Sequence, residues 1–512
     1  MSVLLDRLNK QLELHENEIQ LIDVKSEIKL TGKETKEAIH LFREQFINQN
    51  IQRGDVVLIG LENSIWITII EQALWEIGAI AHPVAETTGI KEILSEFTAY
   101  RYSGAIVSDR LRMELANQEI ISERSFEVLS HLVNFFSFNG TFVRKIADDD
   151  EQQLALILNT SGTTGKPKRV GITNKKILLA TQAVTKSQNI KESDHALIVM
   201  PMFHINAQIV STVTSRINGC QVIVAPKFSA SQFWTIVAKY QVTWLSVVPT
   251  IINILLKNQN SNQQYEKVKK AVHLEYVRSA SFSLPEQLLT DFERRFNVKV
   301  QEGYGMTEST TVVSINPLDK PKVGSVGSVG PVVDTDIAIH SSVYGITYKP
   351  NQHGEIVIRG PRVLQAYLDP KDNILVDGYF RTGDIGYFDE EGYLYVIGRI
   401  KEIINHGGEK VAPAKVEGII SQFQFVTEVA VIGLPDELYG ERVVAALHLN
   451  NSSDHNQEID EIRGKISKEL AKYEQPSEYL ITGAFPRNQT GKILRAQLIE
   501  RLKGEMQHAT IK

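Results

Sequence analysis

The chain has 512 residues, of which 42 % are hydrophobic and 23 % are charged, proportions typical of an ordinary soluble protein with several structural units. Its 55 basic and 61 acidic residues give a net charge of −6, which disfavours nucleic-acid binding as a main function. The single cysteine, Cys220, excludes an intramolecular disulfide, a disulfide-stapled scaffold and a cysteine-cluster metal site.

Neither end of the chain carries a recognisable targeting signal. Charged side chains already occur within residues 1–7, so these residues do not begin an apolar core of signal-peptide length. Residues 510–512 do not match a peroxisomal targeting signal. The most apolar later stretch, residues 65–84, contains Glu71 and Glu76 and is a poor candidate for a membrane span. We therefore expect a cytoplasmic protein without stable membrane insertion.

Strand-like and helix-like segments alternate over most of the chain. Residues 56–59 are β-branched and apolar, residues 65–78 have helical length, and residues 79–84 return to strand character. The same apolar pattern recurs in three later segments, residues 196–200, 220–225 and 244–248. Buried strands separated by helical segments predict βαβ units and parallel sheets.

The character of the sequence changes near residue 354. Short strand-like runs at residues 355–359 and 393–397 are separated by glycine and aspartate turns, which predicts a smaller antiparallel region. We therefore predict an α/β protein whose large N-terminal domain, residues 1–398, has parallel-rich sheets and a small antiparallel subdomain. A small mobile α+β C-terminal domain, residues 399–512, follows after a hinge at residues 398–401.

Five segments carry candidate chemistry, and the first is a loop rich in glycine and threonine. It reads Thr-Ser-Gly-Thr-Thr-Gly-Lys-Pro-Lys over residues 160–168. Glycines let backbone N–H groups turn inward, and hydroxyls and lysines add donors and positive charge, which suits a polyphosphate. It is not a Walker A loop, because Thr160 stands where a glycine is needed and Pro167 follows the first lysine. Alone, the segment is better interpreted as a solvated turn between a strand and a helix, because short motifs of this kind recur freely.

The second and third segments each combine a glycine turn with a carboxylate. In residues 304–309, an aromatic ring could lie near a base while Glu308 binds Mg²⁺, or Thr307 could cap a helix whose dipole favours Glu308. In residues 379–384, Asp384 could accept hydrogen bonds from both ribose hydroxyls. The alternative for Asp384 is an Asx turn before the next strand.

The fourth and fifth segments lie in the C-terminal part of the chain. Residues 399–410 place charge at the predicted hinge and contain the pair Gly407-Gly408, which lets another chain or a narrow ligand approach the backbone. The alternative is a surface turn beside a salt-bridged strand. Residues 486–495 present Lys492 after a Thr-Gly turn, although surface lysines are common.

In order and spacing, these five segments resemble the core motifs of the adenylate-forming superfamily, which includes acyl-CoA synthetases, beetle luciferases and peptide-synthetase adenylation domains. The resemblance runs from about residue 55 to residue 495. Within the superfamily the chain resembles the 4-coumarate–CoA ligase-like group. Three segments, residues 228–234, 244–251 and 277–281, are similar to its oxalate–CoA ligase branch.

The resemblance implies a two-step reaction. A carboxylate attacks the α-phosphate of ATP to give an acyl-adenylate and pyrophosphate, and the thiol of CoA then displaces AMP. The implied ligands are therefore a small-molecule carboxylic acid, ATP, Mg²⁺ and CoA. Lys492 is implied as the cation that bridges carboxylate and phosphate oxygens, because two anions must meet in the first step.

The resemblance also implies individual site residues. Contacts with ATP or AMP are implied for the phosphate loop, the adenine pocket, the α-phosphate and the ribose: Thr160, Ser161, Gly162, Thr163, Thr164, Gly165, Lys168, Gln301, Glu302, Gly303, Tyr304, Thr307, Asp384, Arg399 and Lys492. The implied catalytic residues are Lys492, Thr307, Glu308 and His204, with Glu308 as the metal ligand.

Three further regions follow from the same resemblance. The implied acyl pocket contains His204, Ser279, Ser281 and Gly305. Gly407 and Gly408 match the segment beside the CoA tunnel, and Lys401 matches the hinge. His204 matches a gate between pocket and tunnel, and the alternative for it is a core histidine with satisfied hydrogen bonds.

The acid is only partly constrained by these residues. Amino-acid activators usually carry an aspartate after the phenylalanine that precedes His204, and residues 203–206 contain none. The serines at positions 279, 281 and 283 are more polar than typical fatty-acyl or aromatic pockets. A short or polar acid, for example a dicarboxylate, is therefore expected.

Three positions depart from the pattern of the relatives. Oxalate ligases usually have histidines where this chain has Asn206 and Thr311, which argues against oxalate itself. Glu474 stands where many relatives carry lysine. The sequence alone gives no reason for that exchange.

Several alternatives to a short-acid–CoA ligase stay open at this point. The acid could be fatty or aromatic, or the acyl group could pass to the phosphopantetheine thiol of a carrier protein. A non-catalytic nucleotide-binding relative is disfavoured because Lys492, Glu308 and Asp384 are all present. The sequence does not distinguish a monomer from a homodimer.

Overall fold

The chain forms four β-sheets with helices packed on them in a computed structural model. The structure describes residues 1–116, 121–129, 131–138, 144–160, 168–281, 284–328, 330, 332, 334–369, 374–450, 455–487 and 493–510. Among the helices of these residues, none combines the length and the apolar character needed to cross a bilayer.

The helices and strands follow one another in chain order along the described residues. The α-helices are α1 (Val3–Leu14), α2 (Gly32–Asn48), α3 (Ile65–Ile77), α4 (Ile90–Tyr100), α5 (Asp109–Ala116), α6 (Asn174–Gln188), α7 (Thr214–Ile217), α8 (Phe233–Lys239), α9 (Pro249–Lys257), α10 (Gln259–Val268), α11 (Glu286–Phe296), α12 (Pro413–Ile420), α13 (His455–Glu469) and α14 (Arg495–Thr510). A π-helix covers Asn206–Val213, and 3₁₀ turns cover Lys269–Ala271, Thr307–Ser309, Ile400–Glu402 and Lys472–Glu474.

The strands of the first two sheets come from the first 315 residues. They are β1 (Ile19–Asp23), β2 (Lys29–Thr31), β3 (Val56–Gly60), β4 (Ile80–Pro83), β5 (Gly104–Val107), β6 (Ile121–Val128), β7 (His131–Phe138), β8 (Leu154–Thr160), β9 (Lys168–Thr173), β10 (His195–Ile198), β11 (Gln221–Val224), β12 (Trp244–Val247), β13 (Tyr276–Ser279), β14 (Lys299–Met306) and β15 (Thr311–Ile315). One sheet has the order β15-β14-β13-β12-β10-β11-β1-β2 and the other β6-β7-β5-β3-β4-β8-β9. The inner pairs of both sheets are parallel, which confirms the predicted α/β fold.

The remaining strands form two smaller sheets. They are β16 (Asp336–Ser341), β17 (Gly345–Thr347), β18 (Gly354–Arg359), β19 (Leu375–Val376), β20 (Tyr379–Phe388), β21 (Leu394–Arg399), β22 (Ile404–His406), β23 (Glu409–Val411), β24 (Val426–Asp436), β25 (Gly440–Leu449) and β26 (Glu478–Ile481). The third sheet, β17-β16-β18-β20-β19 with β21 on β20, is antiparallel. The fourth sheet has the order β23-β22-β25-β24, with β26 on β25.

Helix α3 explains how an apolar segment with two carboxylates is buried. Residues 65–75 are all buried, and Gly78 ends the helix with a left-handed φ of 79°, a conformation that favours glycine. Glu71 accepts a hydrogen bond from Gln208 Nε2 at 2.6 Å, and burial raises its pKa to about 8. The helix therefore packs inside the large domain. Cys220 is buried as well, as predicted.

Two sequence predictions need correction. The antiparallel region starts at Asp336 rather than near residue 354, because β16 pairs with β18 along most of its length. The segment of residues 160–168 connects two antiparallel strands rather than a strand and a helix, since Thr160 at the end of β8 faces Lys168 at the start of β9. The short apolar run of β9 was not recognised as a strand.

The third sheet ends at Arg399 and the fourth begins at Ile404. Between them, Ile400–Glu402 forms a 3₁₀ turn in which the side chain of Lys401 is exposed. The fourth sheet is covered by α12, α13 and α14, whose apolar side chains pack on its two faces. The domain limits at residues 398 and 399, and the hinge at residues 398–401, stay predictions.

The C-terminal sheet region explains the unusual Glu474. Lys415 Nζ in α12 lies 2.6 and 2.8 Å from the two oxygens of this carboxylate, and the backbone N–H of Ala471 donates to one of them. The Glu474 side chain is only 8 % exposed. Lys415 is therefore the counterion that makes an acidic residue acceptable at this buried position.

We expect Glu474→Lys to lower the free energy of unfolding by about 1–2 kcal/mol, because it places two ammonium groups together at a partly buried site. The double variant Lys415→Glu/Glu474→Lys should recover most of that loss by exchanging the two charges. Thermal unfolding of the full chain measures both effects. A double variant no more stable than Glu474→Lys would contradict the pairing.

Candidate active site

A cleft of about 1870 Å³ lies between the first sheet, the third sheet and the C-terminal region. Its lining includes residues 302–306 of β14, Asp384 with residues 396–399 of the third sheet, and Val426, Ile493 and Arg495 of the C-terminal region. Residues of α9, α10 and α11 line it as well. The inner strands of the first sheet are parallel, and ligands in such sheets bind beyond the carboxyl ends of the strands. The cleft opens at that edge.

The lining of the cleft includes a buried carboxylate between a phenol and a guanidinium. Tyr304 Oη donates to Asp384 Oδ2 at 2.6 Å, and Arg399 Nε lies 2.9 Å from Asp384 Oδ1. The backbone enforces this contact, because Asp384 and Arg399 face each other in the β20–β21 ladder. Asp384 is 4 % exposed. It lies within a strand, which excludes the Asx turn.

This arrangement fits recognition of a diol such as a ribose. A carboxylate offers about four lone-pair positions, and Tyr304 and Arg399 occupy two of them. Burial, followed by the Asp384 charge, raises the pKa of the Tyr304 phenol well above its usual value. The phenol therefore stays protonated and keeps donating to Asp384, which fixes the orientation of this carboxylate in the cleft.

A second carboxylate lies at the 3₁₀ turn that follows β14. Glu308 Oε1 accepts a hydrogen bond from Tyr367 Oη at 2.8 Å, and burial raises the pKa of this carboxyl. Lys168 Nζ lies 4.8 Å from the centre of the Tyr367 ring. Tyr367 thus joins the end of the predicted phosphate loop to the predicted metal ligand. The sequence analysis missed Tyr367, because no local pattern links it to Glu308.

Glu308 suits Mg²⁺ better than a metal held by protein ligands alone. The described residues contain no group of three or more His, Cys, Asp or Glu side chains placed to hold a metal ion. Mg²⁺ is commonly bound by one or two carboxylates together with substrate phosphates. Lys168 is the last residue of the predicted phosphate loop and the first residue of β9. A single buried carboxylate near it provides the protein part of such a site.

The turn that carries Thr307 and Glu308 is braced by a buried arginine. Arg362 is fully buried, donates twice to Asp334 at 2.7 Å, and donates to the carbonyl of Ser309 at 3.0 Å. Thr310 and Thr311 have φ values of 54° and 137°, a region that strains residues with a side chain. The Arg362–Asp334 pair therefore helps hold a strained turn, and sequence patterns gave no sign of it.

Gly305 is required by the approach of two strands. A Cβ at this position would lie 2.2 Å from the backbone oxygen of Thr311 in β15, far inside van der Waals contact. Gly305 lines the cleft together with Ser281, while the Ser279 side chain is buried in β13. These predicted acyl-pocket residues come from the ends of neighbouring strands of the first sheet.

Gln301 lies apart from the cleft. Its amide donates to the backbone carbonyls of Ser187 at 3.2 Å and Asn316 at 2.9 Å, and it is not among the described residues that line the cleft. The adjacent Glu302 does line the cleft, because successive side chains of a strand point to opposite faces. Burial raises the pKa of Glu302 to about 8.

His204 lies in the turn between β10 and the π-helix. Burial lowers the pKa of its imidazole to about 4, so the ring is neutral at physiological pH. Its ring centre lies 4.1 Å from that of Phe203. Among the described residues, Nε2 is buried without a hydrogen-bond partner. This does not fit a core histidine with satisfied hydrogen bonds, and it leaves a polar atom for a ligand.

The double glycine forms the turn of a hairpin. Gly407 and Gly408 have φ values of 60° and 92° and connect β22 to β23, whose ends pair His406 with Glu409. Two-residue hairpin turns with positive φ at both positions favour glycine. This local requirement explains both residues, and their place beside a CoA tunnel stays a prediction.

Several predicted residues lie outside the described residues. They are Ser161, Gly162, Thr163, Thr164 and Gly165 of the phosphate loop, Ser283 of the serine series, and Lys492. On the described side, Thr160 and Lys168 face each other across the β8–β9 ladder. Arg487 and Ile493, the described residues nearest to Lys492 on either side, both line the cleft.

Residues 8–368 match the AMP-binding enzyme family, and residues 415–492 match the AMP-binding enzyme C-terminal domain. The chain is 33 % identical to an oxalate–CoA ligase of Arabidopsis thaliana, over 87 % of this chain and 88 % of that protein. It is 35 % identical to a sulfoacetate–CoA ligase of Cupriavidus necator, over 67 % of this chain and 66 % of that protein.

Solved structures share the whole fold. The o-succinylbenzoate CoA synthetase of Bacillus subtilis, solved with ATP and a magnesium ion, is 26 % identical with a TM-score of 0.77, covering 96 % of this chain and 98 % of that one. The same synthetase is also known with its acyl-adenylate intermediate, with a TM-score of 0.78 over 96 % of this chain and 97 % of that one.

Proposed function

The chain belongs to the AMP-binding enzyme family and is an AMP-forming acyl-CoA ligase, and on this premise we propose which residues carry its two half-reactions and what kind of acid it activates. The observation that carries the proposal is the buried Asp384 carboxylate, held between Tyr304 and Arg399 in an open cleft. Glu308 and Lys168 are both linked to Tyr367.

ATP binds in this cleft with its ribose hydroxyls on Asp384 and its adenine beside the Tyr304 ring. The segment of residues 160–168 holds the β- and γ-phosphates. Glu308 would hold Mg²⁺, which when bound neutralises charge on the phosphates. The strained turn braced by Arg362 presents the Thr307 hydroxyl to the α-phosphate.

The first half-reaction joins two anions. A carboxylate oxygen of the acid attacks the α-phosphate, and pyrophosphate leaves with the electron pair of the broken P–O bond. The role of the Lys492 ammonium is to neutralise the approach of the two anions and to stabilise the charge that develops in the transition state. Pre-aimed cations in a cleft with little water are effective because they need no reorganisation during the reaction.

The second half-reaction transfers the acyl group to sulfur. The CoA thiol attacks the acyl carbonyl and AMP leaves. The loop that carries Lys492 would obstruct the entry of the thiol, so the C-terminal domain rotates about Lys401 between the two steps. His204, neutral because of its burial, separates the acyl pocket from the thiol path. Gly407 and Gly408 approach the pantetheine arm.

The acid is short and polar. In the predicted acyl pocket, Ser279 and Ser281 carry hydroxyl groups and Gly305 carries no side chain, which supports a polar acid. The oxalate–CoA and sulfoacetate–CoA ligases among the relatives act on short polar acids by their names, which supports the same class here. Asn206 and Thr311, in place of the histidines typical of oxalate ligases, argue against oxalate itself.

Pyrophosphate release across a panel of acids tests this function. Purified full-length protein receives ATP, Mg²⁺, CoA and one acid at a time, from short dicarboxylates to fatty and aromatic acids, and thioester formation is followed in parallel. We expect release with short polar acids and a CoA thioester as product. Adenylation with transfer only to a phosphopantetheinyl carrier protein would replace CoA as acceptor. The absence of pyrophosphate release with every acid of the panel would contradict the proposed reaction.

A further inference from the structure

The end of the predicted phosphate loop is held against a segment that lies 200 residues further along the chain. Arg169, the residue after Lys168 in β9, is 3 % exposed. Its guanidinium donates to both carboxylate oxygens of Asp369, from Nε and from Nη2 at 2.8 Å each. Its Nη1 donates to the Tyr102 hydroxyl at 3.2 Å. A bidentate pair fixes the orientation of both side chains as well as their distance, so residue 369 has a defined place beside β9.

The backbone next to this pair follows the edge of the second sheet. Strand β9 is the last strand of that sheet, and the N–H of Leu368 donates to the carbonyl of Arg169 at 3.0 Å. Gly171 in β9 leaves room for the Leu368 side chain, because a Cβ at position 171 would lie 3.0 Å from Leu368 Cδ2. A main-chain hydrogen bond, a packed side chain and an ion pair therefore hold the same short segment on β9.

The same segment reaches the predicted metal ligand through Tyr367. The Tyr367 hydroxyl donates to Glu308 Oε1 at 2.8 Å, and Lys168 Nζ lies 4.8 Å from the centre of the Tyr367 ring. The start of the segment is attached to the turn of Glu308 as well, since the N–H of Leu364 donates to the carbonyl of Glu308 at 2.7 Å. Residues 364–369, here called the connecting segment, therefore join the turn of Glu308 to β9.

A shared magnesium ion places strict demands on such a connection. Mg²⁺ requires near-ideal octahedral geometry, so a protein carboxylate and the substrate phosphates that share it need a fixed separation. Hydrogen-bond partners of a ligating carboxylate orient it and tune its affinity for the metal. Tyr367 is such a partner of Glu308, and the ion pair that holds the connecting segment lies two residues away at Asp369. The pair therefore bears on the separation between the phosphate loop and Glu308.

We propose that Arg169 and Asp369 are positioning residues that act through Tyr367 and hold the Glu308 carboxylate and the end of the phosphate loop at the separation that a magnesium–polyphosphate complex requires. The pair makes the affinity for the nucleotide depend on the metal. It has no role for the adenosine part of the ligand, which is assigned to the region of Asp384. This inference rests on the proposed function, which places the phosphates and Mg²⁺ at these two elements.

Equilibrium binding to the full-length protein, measured by calorimetry without any acid so that no adenylate forms, tests the inference. ATP is titrated with and without Mg²⁺, and AMP is the reference ligand. We expect Mg²⁺ to tighten ATP binding to wild-type protein, and Asp369→Asn to reduce this gain by on the order of tenfold with unchanged affinity for AMP. Arg169→Lys keeps the charge without the bidentate geometry and should have the same effect. Asp150→Asn is the matched control, since Asp150 pairs with Arg53 and is 41 % exposed, close to the 38 % of Asp369.

A double variant shows whether the pair acts through Tyr367. Tyr367→Phe removes the hydroxyl that donates to Glu308 and keeps the ring. Residues that act through one contact have non-additive effects, so Asp369→Asn should have little further effect on the Mg²⁺-dependent gain in the Tyr367→Phe background. A full additional loss there, or an unchanged gain in Asp369→Asn itself, overturns the inference. Equal losses of AMP and ATP binding in Asp369→Asn and Arg169→Lys would assign the pair to the fold alone and overturn the inference as well.

The wild-type titrations separate this inference from the proposed function. If Mg²⁺ does not strengthen ATP binding to wild-type protein, the proposed phosphate and metal sites fail and the inference fails with them. If Mg²⁺ strengthens binding equally in wild-type protein and in the variants of the pair, only the inference fails. Pair-dependent binding together with no pyrophosphate release for any acid would contradict the proposed reaction and support the positioning role.

Discussion

Replacing Lys492 by alanine is expected to abolish adenylate formation, with a loss on the order of a hundredfold or more in rate, and to spare most of the thioester formation from supplied acyl-adenylate. The ammonium is needed where the carboxylate and the α-phosphate meet. It has no such role once the adenylate exists, because the thiol then displaces a good leaving group. ATP–pyrophosphate exchange measures the first half-reaction, and CoA thioester formation from synthetic acyl-adenylate measures the second.

Lys503→Ala is the matched control, since Lys503 lies in α14 of the same C-terminal region and its Nζ is 3.6 Å from Glu500. It should leave both half-reactions unchanged. An equal loss of the two half-reactions in Lys492→Ala would contradict the alternation of the C-terminal domain between two positions. Loss of the second half-reaction alone would assign Lys492 to thiol transfer.

Glu308→Gln is expected to reduce pyrophosphate release about a hundredfold at a fixed Mg²⁺ concentration and to raise the Mg²⁺ concentration needed for half-maximal rate. Glutamine keeps the shape of the side chain and can still accept the hydrogen bond from Tyr367. The substitution removes only the negative charge. A change in the Mg²⁺ dependence of the rate would therefore reflect weaker metal binding rather than a disturbed fold. A Mg²⁺ titration of pyrophosphate release gives both quantities.

Binding of AMP, which depends on Asp384 and Tyr304, should be nearly unchanged in this variant. Glu266→Gln in α10 serves as control, because Glu266 forms surface ion pairs with Lys269 and Arg295 away from the turn that carries Glu308. Unchanged Mg²⁺ dependence in Glu308→Gln would remove Glu308 from the metal site.

The parallel architecture could be predicted from the sequence because the features that indicate inner strands lie within short segments of the chain. Apolar β-branched runs such as residues 56–60 and 244–247 form inner strands, and turns and helices of the right length separate them. The pairing of β8 with β9 was missed because it depends on a partner rather than on the segment itself. A glycine-rich loop looks the same before a strand and before a helix.

The residues of the candidate site also fall into two groups, those that local sequence motifs predict and those that only long-range contacts reveal. Asp384 and Arg399 carried a recognisable pattern, and the β20–β21 ladder brings them together. Tyr367 and Arg362 did not stand out, since each acquires its meaning from contacts with residues at least 53 positions away. Long-range packing leaves no periodic trace in the sequence. Gln301 and Glu302 illustrate the limit of motif-based site prediction. The resemblance assigns both to the adenine pocket, but their side chains lie on opposite faces of β14 and only Glu302 lines the cleft.

The most direct test of the account is a crystal structure of the full-length protein with an acyl-sulfamoyl adenosine, a stable mimic of the acyl-adenylate. We predict that both ribose hydroxyls contact Asp384, that the adenine lies beside Tyr304, and that the acyl end lies near Ser279 and Gly305. An adenosine bound elsewhere than between Asp384 and Tyr304 would contradict the assignment of the cleft and with it the two-step scheme.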